Sequence, residues 1–139
     1  MDLREELASL AGEHERSGVD YALCGGLSLA LHGAPRATRD IDLLIEAASL
    51  ELAKQAAERA GFRLGAGFIP LRFAGGLRGQ LFRTGKALGE DFIPLDLILA
   101  DPPLDTVWAT RRRYATPDGG ELRAVSREGL IEMKRYSGR

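Results

Sequence analysis

Asp40, Ile41 and Asp42 follow a Gly25-Gly26 pair, with thirteen residues between the pair and the first aspartate. In a strand, successive side chains point to opposite faces, so Asp40 and Asp42 share one face and Ile41 turns inward with Leu43 and Ile45. The strand rise separates the two acids by about 6–7 Å along the backbone. Carboxylates so placed can converge on one Mg²⁺, or on two ions about 3.5–4 Å apart. The chemistry on offer is divalent metal held against a nucleoside triphosphate. The plainer alternative is a solvated strand start with two surface acids.

The elements that must position these acids are short. Val19 to Cys24 is apolar nearly throughout and reads as a buried strand. Gly25-Gly26 breaks it, and glycine lets a ligand approach with no Cβ in the way. A helix from about Leu27 presents free N–H groups and a positive dipole end there, which suits phosphate, and Ser28 lies in its first turn. An ordinary strand-to-helix turn is the competing reading. Gly33 ends the helix and Pro35 keeps it ended. The loop carries Arg36 and Arg39, which can clamp phosphate oxygens or balance Asp40 and Asp42. Thr38 is placed to hydrogen-bond locally. His32 reads as a packed or capping histidine and His14 as an exposed residue of the first helix.

Gly25-Gly26-Leu27-Ser28-Leu29-Ala30, then His32-Gly33, Arg36-x-Thr38 and Asp40-Ile41-Asp42-Leu43-Leu44, resemble the nucleotidyltransferase fold of the DNA polymerase β superfamily. Within it they are similar to small bacterial members, the AbiEii-type nucleotidyltransferase toxins and related domains. The motif covers roughly residues 19–46, with weaker similarity to the C-terminus. The resemblance implies a third acidic residue on a neighbouring strand. Asp96 is the best placed, in Phe92-Ile93-Pro94-Leu95-Asp96-Leu97-Ile98-Leu99, where a lone charge needs a metal, a cation or water. It also implies a lysine near the far end that reaches the bound phosphates. Leu130-Ile131-x-Met133-Lys134 fits that pattern, although for a single lysine on an amphipathic helix a solvated role is the more common one. Family members continue past a glycine-arginine such as Gly138-Arg139 into a helix with a further aspartate.

The 139 residues suit one domain, 1–139, with a modest core. Nineteen basic and twenty acidic residues nearly cancel, so no global field draws the chain to nucleic acid or membrane. The single cysteine, Cys24, excludes an internal disulfide framework and reads as a small buried residue. No signal-peptide pattern or membrane-length apolar run is present, so the cytoplasm is the expected compartment.

A first helix is expected over about 3–16, with Leu3, Leu7 and Leu10 on one face. A third is expected over about 49–60, with Leu52, Ala56 and Ala60 inward. Short strands follow near 68–73, 79–83, 112–115 and 122–125, and a last helix is capped by Ser126. Arg111-Arg112-Arg113 reads either as a contact for a nucleic-acid acceptor or as a solvated edge. Mixed strands and helices give an α/β (α+β) class, a mixed central sheet with helices packed mainly on one face.

The expected function is Mg²⁺- or Mn²⁺-dependent transfer of a nucleoside monophosphate from an NTP to a hydroxyl or phosphate acceptor. Asp40, Asp42 and Asp96 hold metal. Gly25, Gly26, Ser28, Arg36 and Lys134 hold the nucleotide. The resemblance adds a transfer RNA or protein acceptor, an antitoxin partner and a toxin–antitoxin or phage-defence setting. The alternative is a catalytically inactive module of the same fold that binds a nucleotide or partner protein.

Overall fold

Asp2 opens the first helix, α1 (Leu3–Arg16), by accepting a hydrogen bond from the Arg4 N–H at 3.0 Å. The computed structural model describes residues 2–34 and 37–137. Helix α1 buries Leu7, Leu10, Ala11 and His14, a stripe at helical spacing. His14 is therefore fully buried, not exposed as the sequence reading expects. Its Nδ1 donates to the Leu10 carbonyl at 2.9 Å, and its ring meets Tyr21 edge-on at 5.6 Å.

Strand β1 (Ala22–Cys24) runs directly into helix α2 (Gly25–Leu31), and the chain returns as β2 (Ile41–Ile45). Helix α3 (Leu50–Arg59) packs on α1. It buries Ala53, Ala56 and Ala57, followed by Ala60 just beyond its end, while Leu52 is half exposed, a one-residue rotation from the expected face. Strands β3 (Gly67–Arg72), β4 (Arg78–Leu88) and β5 (Asp91–Leu99) form a meander. The four-residue helix α4 (Asp105–Trp108), the hairpin β6 (Arg112–Ala115) and β7 (Glu121–Ala124), and helix α5 (Arg127–Tyr136) complete the chain.

The seven strands form one sheet in the order β3-β4-β5-β2-β1-β7-β6. β2 runs parallel to β5 and β1 parallel to β7, and the other pairs are antiparallel. On one face Ile41, Leu43, Ile45, Leu95 and Leu97 meet Leu7, Leu10, Ala53 and Ala57 of the long helices. On the other, Ala22, Leu44 and Ile98 meet Leu104, Val107, Trp108 and Leu130. The mixed sheet is as the sequence implies. No helix among the described residues is long and apolar enough to cross a membrane.

Several charged side chains serve this frame. Asp20 accepts from Arg111 at 2.9 Å and from Arg123 at 2.7 Å, and Arg113 lies 3.5 Å from Glu15. Arg111 also lies over the Trp108 ring at 4.2 Å. The arginine run thus ties the β6–β7 edge to the start of β1 and to α1. Lys86 spans from β4 to Glu6 of α1 at 2.7 Å and to the Ala60 carbonyl at 3.1 Å. Ser126 caps α5 by accepting from the Gly129 N–H at 3.0 Å. A Cβ on Gly129 would overlap Oγ1 of Thr110, which explains why the third helical position carries no acid.

Candidate active site

Strand register builds the site. Cys24 pairs with Asp42, Asp42 with Asp96, and Asp96 with Arg83. Paired residues on adjacent strands point to the same face, so these four side chains form one row across β1, β2, β5 and β4. Asp40 precedes Asp42 by two residues and is exposed at the mouth of β2. The apolar alternates Ile41, Leu43, Leu95 and Leu97 are fully buried on the opposite face. Alternation in β2 and β5 thus sends the acids to one side and the core to the other.

The acids differ in their surroundings. Burial, then the charges of Asp40 and Asp96, push the Asp42 carboxyl up to about 7, with Arg83 opposing. Asp96 is nearly buried and accepts a two-pronged pair from Arg83, Nε to Oδ1 at 2.7 Å and Nη2 to Oδ2 at 2.9 Å. Thr38 donates to Oδ1 of Asp40 at 3.0 Å, the local bond expected of it. Cys24 is fully buried, and burial with the neighbouring Asp42 and Asp96 raises its thiol well above the usual range, so it is a poor nucleophile.

The glycine pair makes room for this row. Gly25 has φ +71°, and a Cβ there would overlap Oδ2 of Asp42 and stand 3.0 Å from its Cγ. A Cβ on Gly26 would stand 3.1 Å from Oγ1 of Thr38. Ser28 is fully buried, and its hydroxyl donates to the Gly25 carbonyl at 2.7 Å, fastening the turn from within. Lys134 lines a cleft of about 420 Å³ with Leu29, His32, Gly33, Arg127 and Leu130, and none of the acidic row lines it. His32 is packed as expected: its Nε2 donates to the Val125 carbonyl at 3.0 Å and its ring meets Tyr114 at 5.0 Å. Arg36 lies outside the described residues.

The sequence places Arg83, with Arg72 and Arg78, near the glycine-rich Gly75–Gly79 segment, as part of an acceptor-facing loop or a plain hairpin, and its place in the acidic row is what sequence reasoning missed. A signal for it exists. Gly89, with φ +59°, opens a two-residue loop between Leu88 and Asp91, a glycine placement typical of tight hairpins. Counting back along both strands from that turn pairs Arg83 with Asp96.

An oxygen-only donor set of aspartates suits a hard divalent cation. Crowding of Asp42 by two other carboxylates in a buried setting is the state a metal would relieve. Among the described residues, no three acidic, imidazole or thiol groups stand close enough together to enclose an ion.

A mixed sheet that aligns carboxylates of two parallel strands beside a glycine turn defines a nucleotidyltransferase-fold protein. The profile of the AbiEii nucleotidyl transferase toxins, of type IV toxin–antitoxin systems, matches residues 9–134, and the chain belongs to that family. Family membership makes it a transferase of nucleotidyl groups. Its fold is similar to a candidate nucleotidyltransferase from Thermotoga maritima, at TM-score 0.64 and 16% identity, over 94% of this chain and 81% of that one. It is also similar to a lincosamide antibiotic adenylyltransferase solved with lincomycin, at TM-score 0.52 and 16% identity, over 92% of this chain and 83% of that one. No curated protein sequence matches at a significant level.

Proposed function

We propose that the acidic row binds an NTP with Mg²⁺ or Mn²⁺ and transfers its nucleoside monophosphate to a hydroxyl or phosphate acceptor. The observation that carries this reading is the register of Asp42 with Asp96 on parallel strands, beside the turn at Gly25. Asp42 and Asp96, with Asp40 at the mouth, would hold the cation. When bound, the cation supplies charge neutralisation at the phosphates and lowers the pKa of the attacking group.

The chain's own residues provide position and field. Gly25 and Gly26 add no side chain of their own, which lets the Asp42 carboxylate and Thr38 pack against the turn beside the triphosphate, and Ser28 keeps that turn in shape by bonding to the Gly25 carbonyl. Arg36 and Lys134 remain the nucleotide-side cations of this reading. Thr38 fixes the Asp40 carboxylate. The acceptor attacks the α-phosphorus in line, and pyrophosphate leaves. An RNA end or a protein side chain as acceptor suits a toxin inhibited by an antitoxin partner.

The pairing of Asp96 with Arg83 favours a second reading, a module that binds nucleotide without transferring it. One experiment separates the two. The protein is incubated with each α-labelled NTP, Mg²⁺ or Mn²⁺, and total cellular RNA or protein, beside Asp42→Ala. Label in a macromolecule, absent with Asp42→Ala, supports transfer and names the nucleotide and acceptor class. Metal-dependent NTP binding with no label in either fraction supports the module. Neither binding nor transfer contradicts both.

A further inference from the structure

We propose that Arg83 is a resident counter-cation, which a divalent metal displaces from Asp96 and which then takes a phosphate of the substrate. The inference rests on the metal-dependent reading above and deepens it. Asp96 is 7% exposed, and a carboxylate so placed is costly without a partner. Arg83 supplies that partner through two short, parallel hydrogen bonds. A cation arriving at Asp42 and Asp96 therefore competes with a guanidinium already seated on one of its ligands.

Arg83 is built to leave and to be reused. Its side chain is 44% exposed, against 10% for that of Asp96, so the arginine can swing toward solvent while the aspartate stays in the sheet. The planar fork that matches a carboxylate also matches a phosphate. The sheet register confines the freed side chain to the face that carries Asp42. Before metal arrives, Arg83 offsets part of the row's negative charge. After exchange, the same positive charge lies beside the negative charge of the triphosphate. The site thus keeps a counter-charge in both states.

The test is calorimetric titration of the full chain with Mn²⁺ and no nucleotide, for wild type, Asp42→Asn, Arg83→Gln and Arg83→Lys. A guanidinium held on Asp96 by two charge-assisted hydrogen bonds must be displaced before a cation takes that carboxylate, so Arg83→Gln should bind Mn²⁺ about tenfold more tightly than wild type. Arg83→Lys, which lacks the fork, should fall between them. At saturating Mn²⁺, Arg83→Gln should then bind a non-hydrolysable NTP about tenfold more weakly, having lost a charge-assisted contact. Circular dichroism melts establish that each variant is folded, and Arg83→Lys carries the test if Arg83→Gln is not. Unchanged or weaker Mn²⁺ binding by the folded variants overturns the exchange. Tighter Mn²⁺ binding with unchanged NTP affinity overturns the phosphate contact. Wild type and Asp42→Asn binding Mn²⁺ alike, or not at all, removes the metal reading itself.

Discussion

Oδ2 of Asp42 occupies the space that a Cβ on Gly25 would need. The glycine at the end of β1 and the aspartate in the middle of β2 are therefore one device. Gly25 adopts φ +71°, open to few other residues, and so lets β1 turn into α2 while the carboxylate lies against its backbone. Gly25→Ala meets both obstacles at once. It should cost about 2–4 kcal/mol, combining backbone strain with overpacking, and should displace Asp42. Gly18 has a similar φ of +68° but open space around it. Gly18→Ala should then cost only about 1 kcal/mol, the conformational part alone. Denaturant unfolding of the two variants checks the difference, and equal losses would show that the carboxylate contact is unimportant.

Asp42 gives the metal-free protein an alkaline weakness. Its carboxyl is pushed up to about 7 when folded, against an ordinary value of 3.8. Between these values the folded chain keeps a proton that the unfolded chain releases. Stability from this group is full below about pH 4 and falls as pH rises to about 7, by a few kcal/mol at most. In chelator, Asp42→Asn should be more stable than wild type at pH 8, and with Mn²⁺ supplied it should lack transfer activity. Loss of stability in Asp42→Asn at pH 8 would contradict this.

His14 acts on the acid side. Burial lowers its pKa from 6.5, and among the described residues its Nε2 has no hydrogen-bond partner. The folded protein holds the neutral imidazole, so stability falls as pH drops through the unfolded value of about 6.5 toward the depressed folded one. His14→Leu in an Asp42→Asn background should flatten the stability profile between pH 6.5 and 5. An unchanged slope there would assign the acid sensitivity elsewhere.

Asp20 separates frame from chemistry. It receives Arg111 and Arg123, and these pairs hold its carboxyl below the usual range although burial opposes them. Asp20→Asn should cost about 1–2 kcal/mol, since the partly exposed pairs are screened. Nucleotide binding should be unchanged. A loss of NTP affinity without a matching loss of stability would bring the arginine run back as a ligand surface.

The central part of this architecture was legible because glycine and aspartate leave few choices. Gly25-Gly26, the short helix and Asp40-Ile41-Asp42 imposed strand, helix and strand, although α2 begins at Gly25 itself, not after a glycine turn near Leu27 as expected. Asp96 was legible as a lone charge in an apolar strand. Its partner was not, because Arg83 reads as one of several arginines among glycines until the Gly89 hairpin sets the register. His14 was misread because a histidine in the buried stripe of α1 is held by a backbone carbonyl at Nδ1 and by an aromatic edge, neither visible in helical spacing. The one-residue rotation of α3 arose because Ala53, Ala57 and Ala60, not Leu52, pack with α1 and the sheet. Small side chains allow that close approach.

The most direct test is a crystal structure of the protein with Mn²⁺ and a non-hydrolysable NTP, with data collected for anomalous scattering by manganese. The account predicts a manganese peak about 2.0–2.3 Å from carboxylate oxygens of both Asp42 and Asp96, with Arg83 turned from Asp96 to a phosphate. Manganese bound elsewhere, with the Arg83–Asp96 pair intact and the nucleotide away from Gly25, would contradict it.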